Sequence, residues 1–582
     1  MTSDAAEAEL LTRVLSALLR EDVVGLRTLG TLTHRPDGLW LRLATPGDHA
    51  LLLPLTEDGF QCEYAARLPL LVRESDGAEL TSYDTVLAAL RALADPVDRD
   101  GFDAFTEECR QTLATLRLHA ATRVEAADQL TVRHGADPAD WTGLDASLAY
   151  DTLAARIDHP VYPTARGRSG LAEEQLRAYA PEFHPRFALR WLAVPREAVT
   201  LTGALPEVWP TPATLGMEDL EGTHLALPVH PLTVGAPLDE ALRVTGLAQR
   251  ARLAEHGYLD VVPTLSMRTV AVAADPTLHL KLPLATATLG LRNRRSIKPG
   301  TLVDGAAGQR LVERVVGREP RFRDTVLHAD ETTYAHAGHE LLAVLCRRYP
   351  AGLDNAAVVP LAALLAEAPG GRLVVDHLAD RFHAGDPLAL LDACLTLLFD
   401  WQTTLFGHGI ALESHQQNVS LVLGPEPSRV RLLFKDNDGP RINTERLAGV
   451  LPGPWGFDDE RTYGTEDDPV ADVFATITVH LCAGAYAFGL ARHGRAPLPT
   501  LLRLVRDRLG EAVDRLGGTA AAVLRTRILD APHLPVKAMV SAGTLLSKDR
   551  SGAADINKHY TTGPNYLLHA GAQAIQHTGD AV

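Results

Sequence analysis

The sequence predicts an α+β protein of several domains, and three observations carry that reading. A chain of 582 residues is too long to fold around one core. Apolar residues recur at helical spacing near both ends, as in the stripe Leu10, Leu11, Val14, Leu15, Leu18 and Leu19. Between those ends lie short alternating runs bounded by Pro, Gly and Asp, which is how antiparallel hairpins are written.

Composition narrows the function classes. Apolar content of 46% and charged content of 22% belong to an ordinary globular protein. A net charge of -17 argues against nucleic acid as the main partner and gives no support for an anionic membrane surface. The five cysteines (Cys62, Cys109, Cys346, Cys394, Cys482) are scattered and form no CxxC pair, so reduced thiols in a cytoplasm are expected, with no disulfide frame or zinc site. The amino terminus places acids where a signal peptide needs positive charge. Residues 473–491 are apolar enough to suggest a membrane span, but they hold His480, Thr476, Thr478 and two glycines, and a buried core helix is expected there.

In chain order, residues 4–20 predict an amphipathic helix, 39–73 a small antiparallel sheet, and 81–93 and 105–130 further helices. Together they form an amino-terminal module of residues 1–150. Residues 159–170 (HPVYPTARGRSG) contain two prolines and two glycines and must be a loop. This loop displays His159, Arg166, Arg168 and Ser169, which fits either an anion site or a capped turn with exposed arginines. Residues 180–194 end in a strand, and His230 sits between prolines as a structural hydrogen bonder.

The first chemical stretch is residues 263–305. Alternation over 265–272 predicts a strand with Ser266, Arg268 and Val270 on one face; Asp275-Pro276 predicts the turn, and 279–284 the returning strand. Such a hairpin brings Arg268 and Lys281 together. Thr286, Thr288, Arg292, Asn293, Arg294, Arg295 and Lys298 follow within thirteen positions. In an acidic chain this cluster calls for an anionic partner, and several phosphates suit forked guanidinium donors. A solvated strand face paired with local acids is the alternative.

Helices are expected at 339–346, 358–367 and 387–406, leading into the second chemical stretch, residues 408–418 (HGIALESHQQN). Strands at 419–423 and 430–434 flank a GPEPS turn and end in Lys435-Asp436-Asn437-Asp438-Gly439. Pairing these strands carries Asn418 to the neighbourhood of Asp436, two hard oxygen ligands of the kind Mg²⁺ uses beside nucleotide phosphates. Glu413 and His415 are one strand period apart and can face the same place. The remainder predicts helices at 470–491, 499–516 and 519–529, then a segment 534–539 containing Lys537, and Asn565 near the end. There is no GxxxxGK[ST] phosphate loop, GxGxxG turn, HExxH helix or GxSxG elbow.

Taken together, the segments resemble the IucA/IucC family of NRPS-independent siderophore synthetases from about residue 150 onward. The matching pieces are His159-Pro160 with Arg168 and Gly170, Ser266-Met267-Arg268, and Lys281 with Thr286, Thr288 and Arg295. Glu413 through Asn418, the Lys435–Gly439 turn, Lys537 and Asn565 complete them. The chain departs from the family pattern at Tyr162 and Arg166 (His and Lys expected), at Lys435 (Arg expected) and at Tyr566 (Pro expected).

The resemblance implies a cupped hand: a thumb-like module at 1–150, fingers at 151–370 with an antiparallel sheet carrying the ATP-phosphate strands, and a largely helical palm at 371–582. It implies a cytoplasmic homodimer that uses ATP and Mg²⁺. A carboxylate, citrate or a citrate derivative, attacks the α-phosphorus, and an amine or hydroxyl captures the acyl-adenylate with release of AMP and pyrophosphate. Arg268, Lys281, Arg295 and His415 are the expected catalytic residues. Ser266, Thr288, Asn293, His159, Arg168 and Asp436 join them around the nucleotide. His159, Arg166, Arg168, His415 and Lys537 would face the carboxylate and its acceptor, and Glu413, Asn418 and Asp436 the metal. The rival reading is a small-molecule phosphotransferase built on Asn418 and Asp436, although the catalytic Asp and glycine-rich loop of a kinase are missing. A non-catalytic nucleotide or citrate sensor is a third.

Overall fold

A computed structural model describes residues 4–46, 49–426, 428–551 and 559–569. The amino-terminal helix Ala5–Arg20 starts at Asp4, whose carboxylate accepts the amide of Ala6, and its leucine stripe is fully buried. A six-stranded antiparallel sheet follows, from Thr31–Arg35 to Ala78–Leu80, then the helix Tyr83–Leu93. The single helix expected over 105–130 is two, Arg99–Ala121 and Arg123–His134, separated at Thr122.

A nine-stranded sheet occupies the middle of the chain, with Tyr258–Pro263, Thr269–Val272, Asp275–Lys281, Ala343–Arg348 and Asp330–His336 side by side and antiparallel. The hairpin exists, with corrections. Its turn is Ala273-Ala274, and Asp275-Pro276 already belong to the second strand. The first strand begins only at Thr269, because residues 264–268 form a tight turn with Met267 at φ 62°, closed by Thr264 N–H on the Thr269 carbonyl (2.9 Å). Ser266 and Arg268 therefore lie on a turn.

The helix expected at 339–346 is instead the strand Ala343–Arg348, and that expected at 358–367 is the strand Ala357–Pro360 followed by one short turn. Pro360 lacks an amide donor and holds the preceding residue extended, which rules out a helix through it. The long helix Pro299–Arg318 was not anticipated.

The hairpin Val419–Leu423 and Val430–Phe434 pairs in the expected register, Val419 opposite Phe434. Helix Pro387–Gly407 packs beside it, and helix Leu498–Leu516 packs on that helix. The apolar residues 473–491 lie inside the helical segment Asp468–Arg492, buried over its whole apolar window. The strand His533–Lys537 pairs with Tyr560–Pro564. One core runs from Leu10 to Leu567, and a second lies on the nine-stranded sheet around Trp191 and Val270.

Candidate active site

The Thr269–Val272 and Asp275–Lys281 strands set Thr269 opposite Lys281, so Arg268 on the adjoining turn and Lys281 on the strand meet at one end of the sheet. Arg268 donates to the Ser296 carbonyl (2.8 Å), and Ser266 Oγ accepts the Thr269 amide (3.1 Å). The following segment doubles back: Leu284 N–H bonds the Arg295 carbonyl (3.0 Å) and Arg295 N–H bonds that of Thr286 (2.9 Å). This loop brings Thr288, Asn293 and Arg295 to the same end. The Nε atoms of Arg268 and Arg295 are buried and have no partner. Burial, then the neighbouring Arg268, push the Arg295 guanidinium below its ordinary pKa, while Asp436 and Asp438 across the cleft pull both arginines the other way.

The palm hairpin supplies the opposing side. Asn418 and Lys435 are joined at its open end (Lys435 N–H to the Asn418 carbonyl, 3.1 Å), and Asp436 follows at φ 65°. Both oxygens of buried Glu331 accept the Asp436 amide, at 3.0 and 3.1 Å. Arg347 pairs with Glu331 and reaches Asp436 at 3.4 Å. Lys281 Nζ donates to Asp436 and, at 3.3 Å, to Asp438. Burial alone would raise the Asp436 carboxyl; Lys281, Arg347 and Arg268 hold it well below the usual range.

Glu413 faces Lys537 at 3.0–3.1 Å, so this carboxylate is already paired. His415 Nδ1 accepts the Gln417 amide (3.3 Å), and its Nε2 lies 3.5 Å from Asn418 Nδ2. Among the described residues no three His, Cys, Asp or Glu side chains converge as a ready metal cage. Asp436 and Asn418 do suit Mg²⁺ delivered on phosphates, since that ion keeps water and phosphate oxygens and asks the protein for one or two ligands.

The third wall is the 159–170 loop. His159 Nδ1 accepts the amides of Val161 and Tyr162 (3.3 and 3.2 Å), which leaves Nε2 to carry the proton. Burial, then His415, push its pKa down to about 3. Arg13 and Arg20 on the first helix donate to loop carbonyls, among them those of His159 (3.3 Å) and Val161. Arg166 is held by Asp158 (2.7 and 2.8 Å) and Glu9 (3.0 Å), and Arg168 by buried Glu182 (2.9 Å). Both arginines still border the cleft, and Thr286 Oγ1 ties it to the loop through the Ser169 carbonyl (2.7 Å).

These walls enclose one cavity of about 1510 Å³, and every residue expected at the site lines it. Arg13, Glu331 and Arg347, which fix the loop and the Asp436 turn, carry no motif in the sequence. Asp438 lies in the Lys435–Gly439 turn, two residues past Asp436. It is the second carboxylate on Lys281.

The structure superposes on the petrobactin biosynthesis protein AsbB of Bacillus anthracis with a TM-score of 0.75 at 17% identity, covering 97% of this chain and 96% of that one. On ATP-bound aerobactin synthetase IucA of Klebsiella pneumoniae the TM-score is 0.68 at 17% identity, covering 96% and 99%. In sequence the chain is 25% identical to the rhizobactin siderophore biosynthesis protein RhbC of Rhizobium meliloti, across 91% of this chain and 92% of that protein. It is also 25% identical to staphyloferrin A synthase of Staphylococcus aureus, over 52% of this chain and only about half (54%) of the relative. Residues 147–366 match the IucA / IucC family, and residues 389–550 match the ferric iron reductase FhuF-like transporter family. The likeness to the IucA/IucC family thus rests on the middle region, residues 147–366.

Proposed function

We propose that the protein is an ATP-dependent siderophore synthetase that activates a carboxylate as its acyl-adenylate and joins it to an amine or hydroxyl, releasing AMP and pyrophosphate. The observation that supports this reading is that Arg268 and Arg295, each with a buried Nε donor free, face the Asn418 and Asp436 oxygens across one cleft. Ser266, Arg268, Lys281 and Arg295 would bind the polyphosphate, with Thr288 and Asn293 hydrogen-bonding to it. Phosphorus gains negative charge as the carboxylate attacks, and fixed cations in a cleft stabilise that charge without having to reorient. Lys281 would exchange its bonds to Asp436 and Asp438 for phosphate oxygens, freeing the carboxylates. Mg²⁺ held by Asp436 and Asn418 would offset pyrophosphate charge. Glu413 serves Lys537, which with His159 and His415 would orient the carboxylate. Holding two anions and an amine together supplies much of the rate, since solution strongly disfavours that assembly. Citrate or a citrate derivative is the proposed acid.

The test is product analysis with ATP, Mg²⁺ and a panel of carboxylates (citrate, succinate, 2-oxoglutarate, a citryl monoamide), each with several polyamines. AMP and pyrophosphate that depend on both partners support the reading. ADP in their place would mean a phosphotransferase, and nucleotide binding without turnover a sensor.

A further inference from the structure

The amino-terminal module, to which no motif assigns chemistry, supplies one carboxylate on which two walls of the cleft and the helical turn Ser541–Leu545 converge. Glu108 lies on the helix Arg99–Ala121. Its Oε1 accepts the backbone amide of Leu291 (2.9 Å) and the hydroxyl of Thr544. Its Oε2 accepts the hydroxyls of Tyr162 (3.2 Å) and Thr164 (3.1 Å). Leu291 belongs to the segment that presents Thr288, Asn293 and Arg295. Tyr162 and Thr164 belong to the His159 loop, and Thr544 to the turn just beyond Lys537.

Adjoining contacts reinforce the junction. Arg292 donates its amide to the Gly543 carbonyl (3.2 Å) and its guanidinium to those of Ala542 (3.2 Å) and Leu546. Gly290, at φ 110°, approaches so closely that a Cβ there would lie 2.9 Å from Gly543 Cα. Within the segment an isolated Ala287–Arg294 bridge and the bonds from Thr288 to Asn293 (3.3 Å) and from Asn293 to Gly290 (3.1 Å) give a short local closure, which these outside ties anchor to the rest of the molecule. Tyr162 stands where the family pattern has a histidine, yet it is fully buried and its hydroxyl serves Glu108. Burial pushes the Glu108 carboxyl up, while Thr544, Thr164 and the Leu291 amide pull it down.

We propose that Glu108 is a positioning residue: it sets the spacing between the 288–295 segment and the His159 loop, and so how tightly the cleft takes its anionic substrates. It touches no reacting atom. The proposal rests on the adenylation reading of this cleft.

The test compares Glu108→Ala, Glu108→Gln and Tyr162→Phe in the full chain. In the glutamine variant the amide oxygen still accepts the Leu291 amide, and the Tyr162 and Thr164 hydroxyls can turn to accept from its NH₂. Three readouts are taken: hydrogen–deuterium exchange over 288–295 and 159–166 without nucleotide, the Kd for Mg·ATP, and kcat and KM for pyrophosphate release. Glu108→Ala should speed exchange in both segments and weaken ATP binding at least about tenfold, the scale of a lost bond to a buried charged acceptor. Glu108→Gln should restore both to within about threefold, and Tyr162→Phe should speed exchange only over 159–166. Wild-type exchange and affinity in Glu108→Ala overturn the proposal, and so does a glutamine variant as impaired as the alanine one. If Glu108→Ala does not fold, Tyr162→Phe and Thr544→Val decide: unchanged exchange in both rejects it. Exchange is read without substrate, so a wild-type protein that binds no nucleotide defeats the adenylation reading and leaves this result standing.

Discussion

At the scale of single residues, the cleft is a set of charges balanced against one another until an anion arrives. Arg268→Ala and Asp436→Ala should each lower pyrophosphate release at least about a hundredfold, as removal of a charge-stabilising group typically does. Full activity in either variant rejects its assignment. Lys281 pairs with both Asp436 and Asp438, sharing Asp436 with Arg347. Lys281→Met should therefore lower the melting temperature in EDTA, and millimolar Mg²⁺ should recover part of the loss by binding the exposed carboxylates. A variant that melts identically with and without Mg²⁺ argues against a cation at that position. The residues that announce themselves in the sequence are those whose neighbours along the chain are also chemical, as in ESHQQN or KDNDG. Glu331 and Arg347 do not: each has only one charged neighbour, of its own sign (Asp330 and Arg348), in an otherwise ordinary strand, and gains meaning only when the fold sets it beside Asp436.

Elements tell a similar story about what periodicity can and cannot report. The palm hairpin was legible to the residue because a turn sequence separates two short apolar runs. The Ala343–Arg348 strand was not: it lies inside the sheet, its first five residues are buried, and an unbroken apolar run reads equally as helix. The helix Pro299–Arg318 hid for the opposite reason, since Gly300, Gly305, Gly308 and Gly317 depress its helical signal. One of those glycines is required. A Cβ on Gly308 would lie 2.1 Å from the Asn437 carbonyl oxygen, inside the turn that carries Asp436 and Asp438. Gly308→Ala, favourable for a helix in isolation, should displace that turn and cut pyrophosphate release by tenfold or more, while Gly317→Ala, which meets nothing, should leave activity within about twofold. Equal activity in the two variants would show that the turn is not set by this helix.

For the molecule as a whole, acid should be a strong denaturant. His119, His184, His230 and His480 are almost wholly buried, and burial pushes them down to about 2, 3, 3 and 4. Unfolded, each takes up a proton near pH 6.5; folded, none does until far lower. Stability is therefore fully present above about pH 6.5 and lost as the pH falls towards 3. At pH 5 each costs about 2 kcal/mol, together about 8 kcal/mol, comparable with the whole stability of a typical domain. Glu21, Asp151 and Glu108, raised by burial, titrate in the opposite sense and recover part of this. The melting temperature should fall steeply between pH 6.5 and 5, and a flat profile there contradicts the sign. One further consequence follows from the core that joins Leu10 to Leu567 and from Glu21, whose carboxylate accepts the amides of Val540 and Ser541. In a growing chain the opening leucines can pack early against the strand Tyr64–Ala66 and the helices Tyr83–Leu93 and Arg99–Ala121, but Glu21 meets its two amides only when nearly all the rest has been translated, so this buried carboxylate must wait unpaired and the junction it closes should be the last part of the fold to lock.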